Sequence, residues 1–338
     1  MLSYEEFKEE LIKQTKENMP QRYRDAEVEI IRVPKNNDRM FEGISVRPQD
    51  KGSGTVFYCV DAYLDYLHNE SLEKTISLYL MRLVHYLDHM PEIDAEDYQD
   101  WKNVKGRIVP QLVSMRKNCE SIQHFVHRPV EGTDLAVIYR IMQDMGQLRG
   151  SIKISNELME KWGVDLNRIH VRAFYNMNTI LTPQIVELGP ETEEGGKPEV
   201  YTKLPEHMDR DCMYVFTNQE RFYGASTIMA SGILSGIAER LQSSFYLLPL
   251  TVDDMMIIPQ IEDEDVEELQ KLVLKCNICA ETEESMLSDQ VYFYDSTKRE
   301  ISMATDPAYT QEVVLKMLEQ SVSPTGQTDE SDVREMER

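Results

Sequence analysis

The last third of the chain constrains the fold most, because short β-rich runs and two amphipathic segments alternate there in the order β-α-β-β-α-β. Met213 to Thr217 is a β-rich run that Asn218 closes. Across residues 225–241, Met229, Ile233, Ile237 and Leu241 recur every four positions and so share one helical face. Residues 244–250 and 255–260 are two further β-like runs. Thr251, Val252, Asp253 and Asp254 between them have hairpin-turn chemistry, and Asp253 and Asp254 are read as turn residues. Val266, Leu269, Leu272, Val273 and Cys276 mark a second helix, and runs at 291–294 and 300–303 flank a last turn. A helix with one apolar stripe must bury it against another element. The expected fold class is therefore α+β, with mixed or antiparallel sheets covered by helices. The C-terminal β-α-β-β-α-β module reads as a two-layer sandwich in ferredoxin-like order.

The remainder shows similar mixed patterning. Ser3 and Glu6 form a capping box that starts a helix over residues 3–19, with Phe7 and Leu11 inward. Residues 28–34 and 40–47 read as strands joined by a turn at 35–38, with a third β run at 56–60. Leu72, Ile76, Leu80, Leu83 and Leu87 form one helical stripe. Residues 95–119 read as a further helix, bent before Pro110. A β pair is expected at 135–142 and 151–155. Asn156 then caps a helix that Gly163 stops, and another helix covers 166–177. Residues 187–211 collect glycine, proline and glutamate and read as a long exposed loop, and the end of the chain reads as disordered. A chain of 338 residues accommodates two compact domains. The expected division is an N-terminal α+β domain over 1–129 with a helix-rich second half, a C-terminal α+β domain over 130–305, and a helix and tail over 306–338.

The formal charge of −24 excludes more than it suggests. So acidic a surface repels phosphate backbones and anionic lipid, and the basic residues are scattered along the sequence. Direct nucleic-acid or membrane binding is therefore not expected, and a protein partner is. The first residues lack a secretory layout, no run of about 18 apolar residues occurs, and the odd cysteine count of five suits a reducing compartment. The expected location is cytoplasmic.

The candidate chemical motifs weaken on inspection. Cys276 and Cys279 have dithiol spacing, but they fall at the end of a helix, where the dipole disfavours thiolate. His85 and His89 point away from the apolar stripe of their helix, and no third ligand is identifiable. Nucleotide-binding glycine fingerprints and a nucleophile elbow are missing, so the sequence calls for no cofactor and no metal. If a ligand is bound, the polar lining proposed from sequence is His127, Arg128, Asp134 and Asn218, in a cleft between the two halves.

Several segments carry a resemblance. They are Asn36-Asn37-Asp38; His127-Arg128 followed by Asp134-Leu135-Ala136-Val137-Ile138-Tyr139; residues 156–163; residues 213–218; Leu247-Leu248-Pro249; and residues 287–294. Together they resemble a bacterial family, common in gut clostridia, described as a domain of unknown function and numbered 5688. The resemblance implies fold and lineage but no reaction. The loop after Pro249, where that family often carries a histidine, is Leu250-Thr251-Val252-Asp253-Asp254 here, which argues against a histidine–acid site in it. The leading functional expectation is a cytosolic factor that works through protein contacts without catalysis. The alternative is an enzyme or small-ligand binder with its cleft between the halves. The third is an acidic decoy that mimics a nucleic-acid duplex.

Overall fold

A computed structural model of the protein describes residues 1–49, 54–68, 71–89, 95–145, 148–189, 198–261, 265–280 and 282–306. The expected tail lies outside the described residues, as does most of the glycine-rich part of the 187–211 segment.

The N-terminal part follows its sequence pattern closely. Helix α1 (Tyr4–Asn18) starts at the capping box, with the Ser3 amide donating to Glu6 Oε2 at 2.8 Å and the Glu6 amide to Ser3 Oγ at 3.4 Å. Strands β1 (Glu27–Pro34), β2 (Met40–Arg47) and β3 (Thr55–Tyr58) form an antiparallel sheet in that order. Helices α2 (Cys59–Leu67) and α3 (Leu72–His89) complete the unit. Phe7, Leu11, Ile44, Val46, Tyr66, Ile76, Leu83 and Leu87 share one core.

The middle of the chain departs from expectation. The helix read across 95–119 is instead a short helical turn, α4 (Trp101–Val104), followed by strand β4 (Ile108–Ser114). All seven residues of β4 are buried, with α6 (Leu166–Ile180) packed on it. A strand covered on both faces shows no period of two, so its apolar run mimics a buried helix. Strands β5 (His127–Pro129), β6 (Leu135–Met145) and β7 (Leu148–Lys153) join it in an antiparallel sheet with β6 paired to the other three. Because β4 and β5 pair with β6, the boundary expected at 129/130 runs through this sheet. In helix α5 (Asn156–Trp162) the cap is Ser155, whose side chain accepts from the Leu158 amide, and Asn156 is the first helical residue.

The C-terminal strands are β8 (Pro183–Leu188), β9 (Glu199–Tyr201), β10 (Met213–Asn218), β11 (Phe245–Pro249), β12 (Met255–Pro259), β13 (Tyr292–Asp295) and β14 (Glu300–Met303). They form one antiparallel sheet in the order β14-β13-β11-β12-β10-β8-β9. Helix α7 (Ile233–Leu241) links β10 to β11, and α8 (Val266–Ile278) links β12 to β13. The element order is the expected one, but the ferredoxin-like pairing is not. In that arrangement the fourth strand joins beside the first; here β13 lies beside β11, and β8 occupies the far side of β10. Both crossovers therefore step the same way along the sheet from strands of opposite direction. Crossovers of one hand must then place their helices on opposite faces. Accordingly α7 contributes Ile237 and Leu241 to the core that holds Leu247 and Ile257, while α8 contributes Leu269 and Val273 to a separate core with Tyr246 and Leu248. The module has three layers where two were expected.

Two helix readings also need correction. The stretch 225–241 breaks into a 3₁₀ turn (Gly224–Met229) and α7. On α8 the buried face is Leu269, Gln270, Val273, Leu274 and Asn277, whereas Leu272 is exposed. Buried Asn277 stays on that face because its Nδ2 donates to Ser288 O at 3.0 Å and Asp289 Oδ1 at 2.8 Å. As the sequence reading placed it, Cys279 caps the C-terminus of α8, and burial, then its Cys279 neighbour, raises the Cys276 thiol pKa.

The N-terminal unit is fastened to the rest by the tip of the β1–β2 hairpin. Asn37 and Asp38 adopt positive φ angles of 61° and 52°. The Asn37 amide donates to Asn118 Oδ1 at 2.9 Å, and Asn118 Nδ2 returns a bond to Asn37 Oδ1 at 3.2 Å. Asn37 Nδ2 donates to Glu283 O and Met286 O at 2.7 and 2.9 Å, and Asn36 Nδ2 to Glu284 O at 2.9 Å. Asp38 accepts from the amides of Glu120 and Ser121 at 2.7 and 3.2 Å.

Asn37→Ala is expected to lose roughly 4 kcal/mol of stability, about 1 kcal/mol for each of its three side-chain hydrogen bonds plus about 1 kcal/mol for alanine at positive φ. Asn37→Gly, which accepts that backbone, should lose about 1 kcal/mol less. Urea unfolding of both variants tests this; an alanine variant within about 0.5 kcal/mol of wild type would show that the tip does not fasten the unit.

Candidate functional site

The docked hairpin tip walls a cleft of about 620 Å³ where the three sheets approach one another. The N-terminal unit supplies Lys35, Tyr58 and Asp61; the middle sheet supplies Gln111, Arg140, Ser151 and Lys153; the far wall carries Tyr223, Asp253 and Glu284.

The far wall depends on one glycine. A Cβ on Gly224 would lie 2.4 Å from Asp253 O and 2.8 Å from Thr217 Cα, so only glycine lets the 3₁₀ turn settle against the end of β10. That seat directs the Tyr223 amide onto Asp253 Oδ1 at 2.6 Å. The loop is a turn, as read from the sequence, with the Leu250 and Thr251 amides donating to Asp254 O at 3.1 and 3.2 Å. The Asp253 carboxyl also faces the cleft. Burial raises its pKa to about 6, Asp254 adds to the rise, and the bond from the Tyr223 amide opposes it.

The floor is made by a cross-strand pair of cations. Arg140 on β6 and Lys153 on β7 are direct register partners. Arg140 is pinned by neutral groups: Nε donates to Ser151 Oγ at 2.7 Å, Nη2 to Ser151 O at 3.1 Å and Nη1 to Gln111 Oε1 at 3.1 Å. Its guanidinium stacks over the Tyr223 ring at 5.2 Å, and the Tyr223 hydroxyl lies 2.9 Å from Ser151 Oγ. Lys153 Nζ sits 4.9 Å over the Phe125 ring and makes a long 3.4 Å contact to Lys35 O. Neither cation has a carboxylate partner among the described residues.

Lys35, in the same cleft, shows what pairing does. It lies 3.3 Å from Glu284 Oε2 and 4.2 Å over the Tyr58 ring. Burial works against its charge, but the Tyr58 hydroxyl and Glu284 outweigh it and its pKa rises. Burial, then the Arg140 charge, instead pulls Lys153 down to about 8. Like charges directly opposite on adjacent strands are destabilising, so the pair carries a cost.

The four residues proposed from sequence do not line this cleft. His127 Nδ1 sits 2.9 Å from Phe125 O, and Arg128 reaches Asn167. Asp134 accepts from Tyr292 Oη at 2.5 Å, Ser114 Oγ at 3.1 Å and Ser288 Oγ at 3.3 Å, where it bridges segments distant in sequence. Asn218 is fully buried and organises its own loop, with Nδ2 donating to Phe222 O at 2.8 Å and Oδ1 accepting from the Glu220 and Phe222 amides. His127 and Arg128 are strand neighbours; Asp134 and Asn218 have other partners. Sequence reasoning missed Arg140 and Lys153. The signal that could have found them lay inside the expected β pair, where Arg140 and Lys153 are two basic residues mirrored across the β6–β7 turn.

A family profile described as "Family of unknown function (DUF5688)" matches residues 4–296. The chain belongs to this family. Its match spans the N-terminal unit, the middle sheet and β8 to β13, so every wall of the cleft falls inside the family's bounds. No curated protein and no solved structure matches the chain. Among the described residues, no helix is long and apolar enough to cross a membrane.

Lys153 is flanked by Arg140 and Lys35, which lower its pKa, and by Asp38 and Glu284, which oppose them. Its folded-state value lies below the ordinary 10.5, so folding penalises the protonated amine. The penalty is full below about pH 8 and fades as pH rises toward 10.5. Lys153→Met is therefore expected to be more stable than wild type at pH 7, with the gap narrowing by pH 10. Urea unfolding at both pH values measures this; a variant less stable than wild type at pH 7 contradicts the strained-cation account.

Proposed function

We propose that the protein binds a small anionic molecule in this cleft, with Arg140 and Lys153 as its counter-charge. The observation that carries the reading is the pair of half-buried, register-matched cations without a carboxylate partner among the described residues. Acidic residues outnumber basic ones 60 to 36 in this chain, so a carboxylate would have been easy to supply. An anion entering the cleft would relieve the repulsion between the two cations, and the relief would appear as affinity. The cleft volume suits a ligand of metabolite size. This supports ranking ligand binding, the alternative raised from sequence, above protein contacts.

Inorganic phosphate and pyruvate are expected to raise the melting temperature of the wild type, and Lys153→Gln should weaken binding of the effective anion at least about tenfold by calorimetry, since a charge-assisted contact contributes more than about 1.4 kcal/mol. Equal affinity in the variant would remove the cleft from consideration.

A second reading keeps the protein-contact expectation and rests on a different face. On α6, Val171 and Tyr175 are 69% and 62% exposed. They border a hollow lined by Trp101, Lys105, Arg168 and Arg172. Arg168 stacks over Trp101 at 5.5 Å and Arg172 over Tyr175 at 5.0 Å, and neither pairs with a carboxylate among the described residues. Basic residues that are scattered in sequence come together here with apolar surface between them, which suits an acidic, partly apolar protein segment. A glutamate-rich peptide carrying one aromatic residue should bind by fluorescence anisotropy and lose binding in the Arg168→Glu, Arg172→Glu double variant. Tighter binding of single-stranded nucleic acid than of the peptide would overturn this second reading.

A further inference from the structure

We propose that Lys153 captures the cleft's ligand covalently, its free amine condensing with the carbonyl group of a small molecule whose carboxylate or phosphate rests on Arg140. The inference rests on the anion-binding reading and names the substrate class: oxo-acids and phosphorylated aldehydes or ketones.

Three features of the site favour this chemistry. First, the amine has no strong partner holding its protons. Its contacts are the Phe125 ring and a 3.4 Å approach to Lys35 O, whereas Lys35 a few ångströms away is committed to Glu284. Second, a lysine becomes a nucleophile when it is desolvated or set beside another cation. Lys153 meets both conditions, being lodged in the cleft wall and register-matched to Arg140. Third, Arg140 is fixed by Gln111 and Ser151 and stacked on Tyr223, so its planar fork is presented in one orientation, as bidentate carboxylate or phosphate recognition requires. An anion there would deliver the adjacent carbonyl carbon to the neighbouring strand's amine.

The step balances without a further reagent. The Nζ lone pair forms the carbon–nitrogen bond as the carbonyl π pair moves to oxygen, and one Nζ proton passes to that oxygen to give a carbinolamine. The second Nζ proton leaves with the hydroxyl as water, and the carbon–nitrogen double bond closes. Nothing is oxidised or reduced.

The test incubates the full chain with pyruvate in one arm and dihydroxyacetone phosphate in the other, each with cyanoborohydride to reduce the imine, and maps the adduct by peptide mass spectrometry. The expected result is a single adduct at Lys153 in at least one arm, with a labelling rate that climbs through about pH 8. Excess inorganic phosphate should slow it, Arg140→Gln should slow it about tenfold or more, and Lys35 should stay unmodified. Phosphate binding by calorimetry is measured in parallel. Phosphate binding without an adduct in either arm overturns the covalent step and leaves the anion site standing. Loss of both overturns both. Labelling spread evenly over lysines, and equal in Lys153→Gln, also overturns it.

Discussion

The docking of one hairpin tip is what closes the cleft between the N-terminal unit and the other sheets. The N-terminal unit has its own apolar core, separate from the larger core that spans the middle and C-terminal sheets. The hairpin tip fastens the two through polar contacts, with three consecutive residues satisfying backbone groups of two distant loops. Those contacts have strict geometry, since the donors and acceptors at this part-buried junction must come from fixed directions. Asparagine is suited to the central position because it tolerates a left-handed backbone while its amide both donates and accepts. With the tip in place, Lys35, Tyr58 and Asp61 face the middle sheet, and the space between becomes a cleft.

Within that cleft the charge arrangement is the unusual feature. Most cations of a strongly acidic chain can find a carboxylate at small net gain. Lys35 does so, and its pKa moves up; Lys153 does not, and its pKa moves down. Two lysines in one hollow are thus set apart: Glu284 and the Tyr58 hydroxyl hold the proton on Lys35, whereas burial and Arg140 loosen it on Lys153. The neutral pins on Arg140 extend the same logic, because amide and hydroxyl acceptors orient a guanidinium without cancelling its charge.

The sheet topology explains how the far wall reaches the cleft. Because β8 already occupies the outer side of β10, the last crossover continues past β11, and its helix is sent to the opposite face. The face that carries α7 is left to merge with the middle sheet in one core. The end of β10, its 3₁₀ turn and the β11–β12 loop are thereby set beside β6 and β7, which brings Tyr223 under Arg140 and Asp253 into the cleft wall.

The sequence alone determined the local elements whose signals are local. The Ser3–Glu6 box, the 35–38 turn, the Gly163 stop, the Thr251–Asp254 turn and the β-α-β-β-α-β order all follow from capping, turn chemistry and periodicity within a few residues, and the family resemblance follows from short segments of the same kind. It did not determine β4, whose two covered faces erase the alternation that marks a strand, nor the buried side of α8, where Gln270 and Asn277 lie inward with their side-chain NH2 groups donating to the following loop. Which strand neighbours which depends on edges already taken, and periodicity carries no record of that. The candidate site is further still from the sequence. His127, Arg128, Asp134 and Asn218 stand out as polar residues near strands, yet Asp134 and Asn218 are consumed in holding loops together, while Lys35, Arg140, Lys153 and Asp253 look ordinary until three sheets meet. A lone basic residue in an acidic chain reads as solvated surface; only the tertiary structure decides whether a carboxylate reaches it, and the absence of one at Arg140 and Lys153 among the described residues is what gives the cleft its chemistry.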